Sequence, residues 1–137
     1  MNGTVHVRVR IGGEQYALPV EHVDEVLELG DVTPVPGSAD WMLGLQNLGG
    51  EIVPVFDLAG ILQVERDGRP RRLAVVEHDG RRAAFAVDEV IDVGRLAGAA
   101  QEPDSPHLLA SMVLDGTLVG LLAVDALFDS LVGQEHR

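Results

Sequence analysis

From Val5 to Ile11 apolar and polar residues alternate strictly, Val-His-Val-Arg-Val-Arg-Ile, as in a strand with one buried face. Gly12-Gly13 supplies a tight turn, and residues 15–20 return as a second strand, making a hairpin. Pro19 near the end of that strand points to a sheet edge. Val20, Val23, Val26 and Leu27 then fall at helical spacing, which predicts a short helix or helical turn with an apolar stripe. Residues 32–38 carry two prolines and are extended, and Ser38 is placed to cap a short turn carrying Trp41 and Leu43. Gly49-Gly50 separates two apolar runs. Residues 51–56 read as a strand, and Asp57 as the cap of a short helix at 58–62. Residues 63–71 are polar, charged and broken by Gly68 and Pro70, the composition of a linker.

The pattern then starts again. Residues 73–87 read as strand, Asp-Gly turn, strand. At an offset of 67 residues Gly13 falls on Gly80, Leu18 on Phe85, Val23 on Val90 and Val26 on Val93. At an offset of 66, Leu48 falls on Leu114, Gly50 on Gly116 and Val53 on Val119. Each half ends in an apolar turn beside an aspartate, Asp57 and Asp125, read as its cap. Residues 95–107 are a polar, proline-bearing loop. Two β-rich halves follow, about 5–65 and 71–132, joined by a linker near 65–71 within a single domain of residues 1–137. A core as small as either half offers stabilises by only a few kcal/mol. The halves are therefore expected to pack as two small β-barrels, with the stripe Leu127, Phe128, Leu131, Val132 docked on the pair.

Composition narrows the function. The 137-residue chain is 46% apolar but only 4% aromatic, so its core is aliphatic. Its net charge of −12 repels phosphate, which argues against nucleic acid and against anionic membrane surfaces. The basic residues cluster at 65–72 and at Arg81-Arg82, either as solvated loop and strand edges or as a local patch for an acidic partner. With no cysteine there is no disulfide, thiolate site or cysteine nucleophile. The amino-terminal residues lack an apolar signal core and no apolar run approaches about eighteen residues, so a cytoplasmic protein is expected.

The candidate chemistry is thin. Gly49-Gly50 leads into a strand, not a helix, and the chain has no lysine, so a hairpin turn and not a phosphate cradle is read there. No two histidines among His6, His22, His78, His107 and His136 lie at ligand spacing on one element, so no metal site is expected. Ser38, Ser105, Ser111 and Ser130 lie outside any G-x-S-x-G elbow, and Ser105 and Ser130 read as polar surface. Neither catalysis nor ligand carriage has positive support. A binding surface has more. Val20, Leu27 and Leu29 suffice to anchor a short helix, leaving Val23 and Val26 either as an apolar strip flanked by Glu25 and Glu28 or as plain core.

The blocks "IGGEQYALPVEHVDEVLEL", "TPVPGSADWMLGLQNLGGEIVPVFDL" and "LAVVEHDGRRAAFAVDEVIDV" resemble, in order, the signature blocks of the CheW family of chemotaxis coupling proteins, over about residues 5–132. The central pattern G-x-x-N-L-x-G-x-I-x-P-V-x-D-L is the most specific. The resemblance implies a mainly β fold of two SH3-like five-stranded β-barrels packed with pseudo-two-fold symmetry, plus short helices. It implies a non-catalytic adaptor without cofactors that couples chemoreceptor cytoplasmic tips to the regulatory domain of a CheA-type histidine kinase. Carried over by motif, the receptor-facing positions are Val23, Glu25, Val26, Gly44, Asn47 and Gly49. The family usually reads N-L-R-G where this chain reads Asn47-Leu48-Gly49-Gly50. The missing arginine commonly pairs with the glutamate at the Glu25 position, so Glu25 is expected unpaired, and Gly49→Arg to strengthen binding to a conventional receptor tip. The alternative implied by that departure is a divergent, receptor-independent CheW-like regulator of another two-component or motility system.

Overall fold

The computed structural model describes residues 4–65, 68–98, 100–103 and 105–131. The first hairpin is β1 (Val5–Ile11) and β2 (Glu14–Pro19), followed by a single 3-10 turn at Val20–His22 and by β3 (Val23–Glu28). A second hairpin, β4 (Met42–Leu48) and β5 (Glu51–Asp57), leads into α1 (Leu58–Leu62). The second half repeats this order: β6 (Arg72–His78), β7 (Arg81–Val87), β8 (Glu89–Arg95), the two-residue β9 (Ala100–Gln101), β10 (Leu108–Leu114), β11 (Thr117–Leu122) and α2 (Val124–Asp129).

Among the described residues the strands form two sheets, one ordered β8-β1-β2-β11-β10-β9 and the other β3-β6-β7-β5-β4. The repeat read from the sequence holds element by element. Exchange each strand for its counterpart in the other half, and the five-stranded order becomes the first five strands of the six-stranded one. The register agrees as well: Val23 lies opposite Val76 in one sheet and Val90 opposite Val9 in the other, 67 residues on in each case. The halves are nevertheless interleaved. β1 and β2 pair with β8 and β11 of the second half, and β6 and β7 sit between strands of the first. Each sheet folds round towards closure. Thr33 bridges to Leu45 between β3 and β4, and β9 pairs with β10 after the chain leaves β8.

The main core joins the two sheets. Val7, Val9, Ile11 and Leu18 from one meet Phe56, Ala74, Val76 and Phe85 from the other, with Leu58, Leu127, Phe128 and Leu131 of the helical segments closing over them. A run of rings crosses it: Trp41 to Phe56 at 5.8 Å, Phe56 to Phe85 at 6.1 Å, Phe85 to Phe128 at 5.9 Å. Such offset and edge contacts add about 0.5–1.5 kcal/mol each beyond area burial. Two smaller clusters fill the interior of each sheet, Val53, Val55, Leu73, Val75, Ala84 and Ala86 in one, and Ala17, Leu96, Met112 and Val119 in the other.

Several local expectations change. The helix predicted over Val20–Leu27 is a 3-10 turn and a strand. A bulge explains the misleading spacing: the register shifts between Val23 and Glu25, so Val23 and Val26, three apart, oppose Val76 and Ala74, two apart, on one face. Val20 does not anchor this segment, being exposed, whereas Leu27 and Leu29 pack on the interior cluster. β2 is not an edge strand. Pro19 is its last residue, beyond the parallel pairing with β11 that ends at Ala17, so its missing N–H disturbs no bond there. Ser38 caps no helix; its hydroxyl donates to the Val35 carbonyl, and Leu43 belongs to β4. Asp57 does cap α1, its carboxylate accepting from the Ala59 N–H at 3.2 Å. Asp125 does not cap α2, because Ala123 occupies that place and Asp125 lies in the first turn. β8 runs to Arg95 and β9 interrupts the expected loop. Arg66, Asp67 and Val132 lie outside the described residues.

Candidate partner-binding site

The face that carries the interior cluster of the five-stranded sheet ends in charge. β6 runs Leu73, Val75, then Glu77; β7 runs Ala86, Ala84, then Arg82; β5 runs Val55, Val53, then Glu51. The two-residue period that buries the apolar members carries the polar ones on at the same face, at the end where strands outrun the core. Glu25 lies opposite Val75 on the neighbouring edge strand, and the bulge at Asp24 brings a second carboxylate beside it. Arg82 gathers these acids. Its Nε donates to Asp24 Oδ2 at 3.1 Å, Nη2 lies 3.7 Å from Glu25 Oε2, and Nη1 bonds Glu51. Glu25 is thus paired, contrary to the expectation drawn from the missing arginine at position 49. The signal for Arg82 was present in the alternation of β7, but choosing its partners required knowing that β3, β7 and β5 share a sheet.

The other candidates divide. Val26 is 38% exposed, whereas Val23 is half-buried and packs on the main core. So the two valines take one role each: Val26 is surface and Val23 is mostly frame. Gly44 is buried at a bulge with φ +142°, and a Cβ there would run into the Thr33 carbonyl. Asn47 turns back on its own hairpin, Oδ1 accepting from the Gly50 N–H at 2.7 Å. Gly49 has φ +62° and open space around it, as a two-residue hairpin turn with both residues left-handed requires. Gly44 and Asn47 therefore shape the hairpin, while Val26 and Glu25 face outward.

The six-stranded sheet repeats the device. Arg8 Nε and Nη2 grip Asp92, the counterpart of Glu25, at 3.1 and 2.5 Å, and this hydrogen bond raises the Arg8 pKa above its usual value despite partial burial. Arg10 pairs with Glu89. Within the basic clusters, Arg72 lies 3.7 Å from Glu28 and Arg82 engages Asp24, Glu25 and Glu51, so these two answer acids of the chain itself.

Exposed apolar residues fall at matching places on the two sheets. Ile52, 57% exposed, corresponds to Leu118 at 54%, and Val26 to Val93. Val113 lies directly across from Leu118 on β10 and is exposed as well. The exposed apolar positions thus repeat with the fold, the pair Val113 and Leu118 side by side on adjacent strands.

Signs of chemistry are few. Ser130 sits beside His107, Oγ to Nε2 at 2.8 Å, where the sequence had suggested only polar surface. The same hydroxyl lies 3.2 Å from the Ala126 carbonyl, an ordinary helix-end contact. The contact with His107 ties α2 to the turn before β10. His22 and His78 meet ring to ring at 5.7 Å, yet among the described residues no three His, Cys, Asp or Glu side chains gather as a metal site. One open cleft of about 340 Å³ is lined by the charged side chains Arg8, Asp92, Arg95 and Asp115, and another of about 510 Å³ lies beside Leu29, Val32, Leu43 and Arg69. No helix among the described residues is long and apolar enough to cross a membrane.

Residues 6–132 match the family model of the CheW-like domain. The chain is 39% identical over 83 residues to protein PilI of Pseudomonas aeruginosa, spanning 59% of this chain and 47% of that one. It is 34% identical over 87 residues to chemotaxis protein CheW of Thermotoga maritima, spanning 63% and 58%. It thus spans about half the length of these relatives. The fold is that of the scaffolding protein TtCheW of Thermoanaerobacter tengcongensis, with a TM-score of 0.81 at 24% identity over 89% of this chain and 85% of that one. The chain belongs to the CheW-like domain family.

Proposed function

We propose that this protein is a cytoplasmic adaptor that holds a chemoreceptor's cytoplasmic tip and the regulatory domain of a CheA-type histidine kinase together. One observation carries the reading: one core joins two sheets, and each sheet leaves apolar side chains exposed at matching positions, Val26 and Ile52 on one and Val93, Val113 and Leu118 on the other. Two separate faces on one core are what a bridging protein needs, and aliphatic patches rimmed by charge suit protein partners. The receptor tip meets the edge strand β3, where Glu25 and Val26 are exposed on its two sides, with Gly49 at its margin. The kinase domain meets the six-stranded sheet around Leu118. Residues 1–137 act as one unit, because the interleaved strands give neither half, 5–65 or 71–132, a sheet of its own.

Isothermal titration of the chain with a receptor-tip fragment and with a kinase regulatory domain tests this. Both partners are expected to bind together without competing. Leu118→Asp should weaken the kinase domain alone, since burying an unpaired charge in an interface centre costs about 2 kcal/mol or more. The second reading is a regulator of another two-component or motility system. It is favoured by relatives whose names are not CheW, protein PilI and protein FrzA of Myxococcus xanthus. Binding of the kinase domain without the receptor tip would select it.

A further inference from the structure

We infer that Arg82 is the positioning residue of the receptor-facing surface, holding Glu25 in place from a neighbouring hairpin where Gly49 supplies no side chain. The inference rests on the adaptor reading for its partner, but its geometry stands apart from it.

Three carboxylates on two strands, Asp24 and Glu25 on β3 and Glu51 on β5, converge on this one guanidinium. Without it, three like charges would crowd the end of one core and repel one another. A guanidinium spreads five donors over three nitrogens of a rigid planar fork, so it reaches three separate acids at once, whereas an ammonium concentrates its three donors on one atom at the end of a flexible stem. Arg82 is also well placed to be fixed: its stem continues the buried stripe of Ala86 and Ala84, and its side chain is only 25% exposed. Glu25 beside it is 48% exposed, so the arginine is held by the fold while the acid stays open to a partner. The second barrel repeats the arrangement with different residues. Asp92 stands where Glu25 does, and Arg8, reaching from the adjacent hairpin, grips it with two bonds. The same edge-strand acid is thus held twice by an arginine from a neighbouring hairpin, once from its first strand and once from its second. Gly49, with φ +62° at the turn, is spared the task and keeps a conformation that favours glycine.

The test pairs Arg82→Ala with Glu25→Gln, each alone and combined, in the full chain. Affinities for a receptor-tip fragment and for the kinase regulatory domain are measured by titration. The Arg82 Nε–H resonance is followed by nuclear magnetic resonance, with no partner added. Arg82→Ala is expected to weaken tip binding about tenfold, and in the Glu25→Gln background to change it less than about twofold, because coupled neighbours are not additive. Kinase-domain affinity should stay within about twofold in every variant, and Arg82→Lys should recover only part of the loss. In the wild-type chain the Nε–H signal should be slow to exchange and should shift in Glu25→Gln. Equal losses of tip binding in both backgrounds would overturn the inference, as would no loss at all. Loss of both partners together would show that Arg82 merely holds the fold, and overturns it too. If the wild-type chain binds no receptor tip, the adaptor reading fails. An Nε–H signal that then exchanges freely and ignores Glu25→Gln removes the positioning role as well, and a protected, responsive one retains it.

Discussion

Gly44→Ala separates a frame residue from a contact residue. Gly44 is buried where the register of β4 and β5 shifts, at φ +142°. An alanine there adopts a conformation that costs about 1–3 kcal/mol. Its Cβ would also lie 2.8 Å from Val32 Cγ1 and closer still to the Thr33 carbonyl, so that backbone must move. Overpacking of this kind costs about 1–3 kcal/mol. What moves is the bridge that closes the five-stranded sheet, Thr33 N–H to Leu45 O at 2.8 Å and Leu45 N–H to Thr33 O at 2.9 Å. Together these suggest a loss of about 3–4 kcal/mol. At roughly 3 °C per kcal/mol for a domain of this size, Tm should fall by roughly 10 °C. Circular dichroism against temperature gives that number, and urea unfolding at unchanged m-value checks that the unfolded state is not responsible. At a temperature where the variant is folded, its affinity for a receptor tip should match wild type. A Tm within about 2 °C of wild type would refute the steric reasoning. Weakened tip binding at unchanged Tm would return Gly44 to the contact surface.

Gly49→Arg should lower stability by about 1 kcal/mol, the cost of a side chain in a left-handed turn, measured by urea titration. Its effect on receptor-tip affinity should be small, opposite to the gain expected from sequence, because Glu25 already engages Arg82. Phe85→Ala should cost about 3–5 kcal/mol and leave little folded protein at 37 °C by thermal scan, since Phe85 is fully buried between Phe56 and Phe128. Ser130→Ala should cost about 1 kcal/mol through the lost tie to His107 and should leave both partner affinities unchanged by titration.

How much was legible follows from where each signal resides. Hairpins at Gly12-Gly13, Gly49-Gly50, Asp79-Gly80 and Asp115-Gly116 were readable because a turn with positive φ advertises itself in local residue choice. The Asp57 cap was readable for the same reason, and the failure at Asp125 came from trusting an aspartate two residues past Ala123, which is the counterpart of Asp57 at the offset of 66. The segment after Val20 misled because a bulge gave a strand the spacing of a helix. Of the positions carried over by resemblance, Glu25 and Val26 have exposed side chains. Gly44, Asn47 and Val23 share the same motif but spend their side chains or backbone on the fold.

The sequence by itself determined the strands β1, β2, β5, β6 and β7, the hairpin turns and the two-fold repeat, because these rest on alternation, turn chemistry and spacing within a few residues or at one constant offset. Only the tertiary structure decided that the halves exchange strands, since an edge strand can be completed by its own half or by the other with the same local pattern. That exchange sets β3, β7 and β5 in one sheet, and with them the pairing of Glu25 to an arginine 57 residues away in the chain. Charge pairing depends on distance in space, and no local pattern records it.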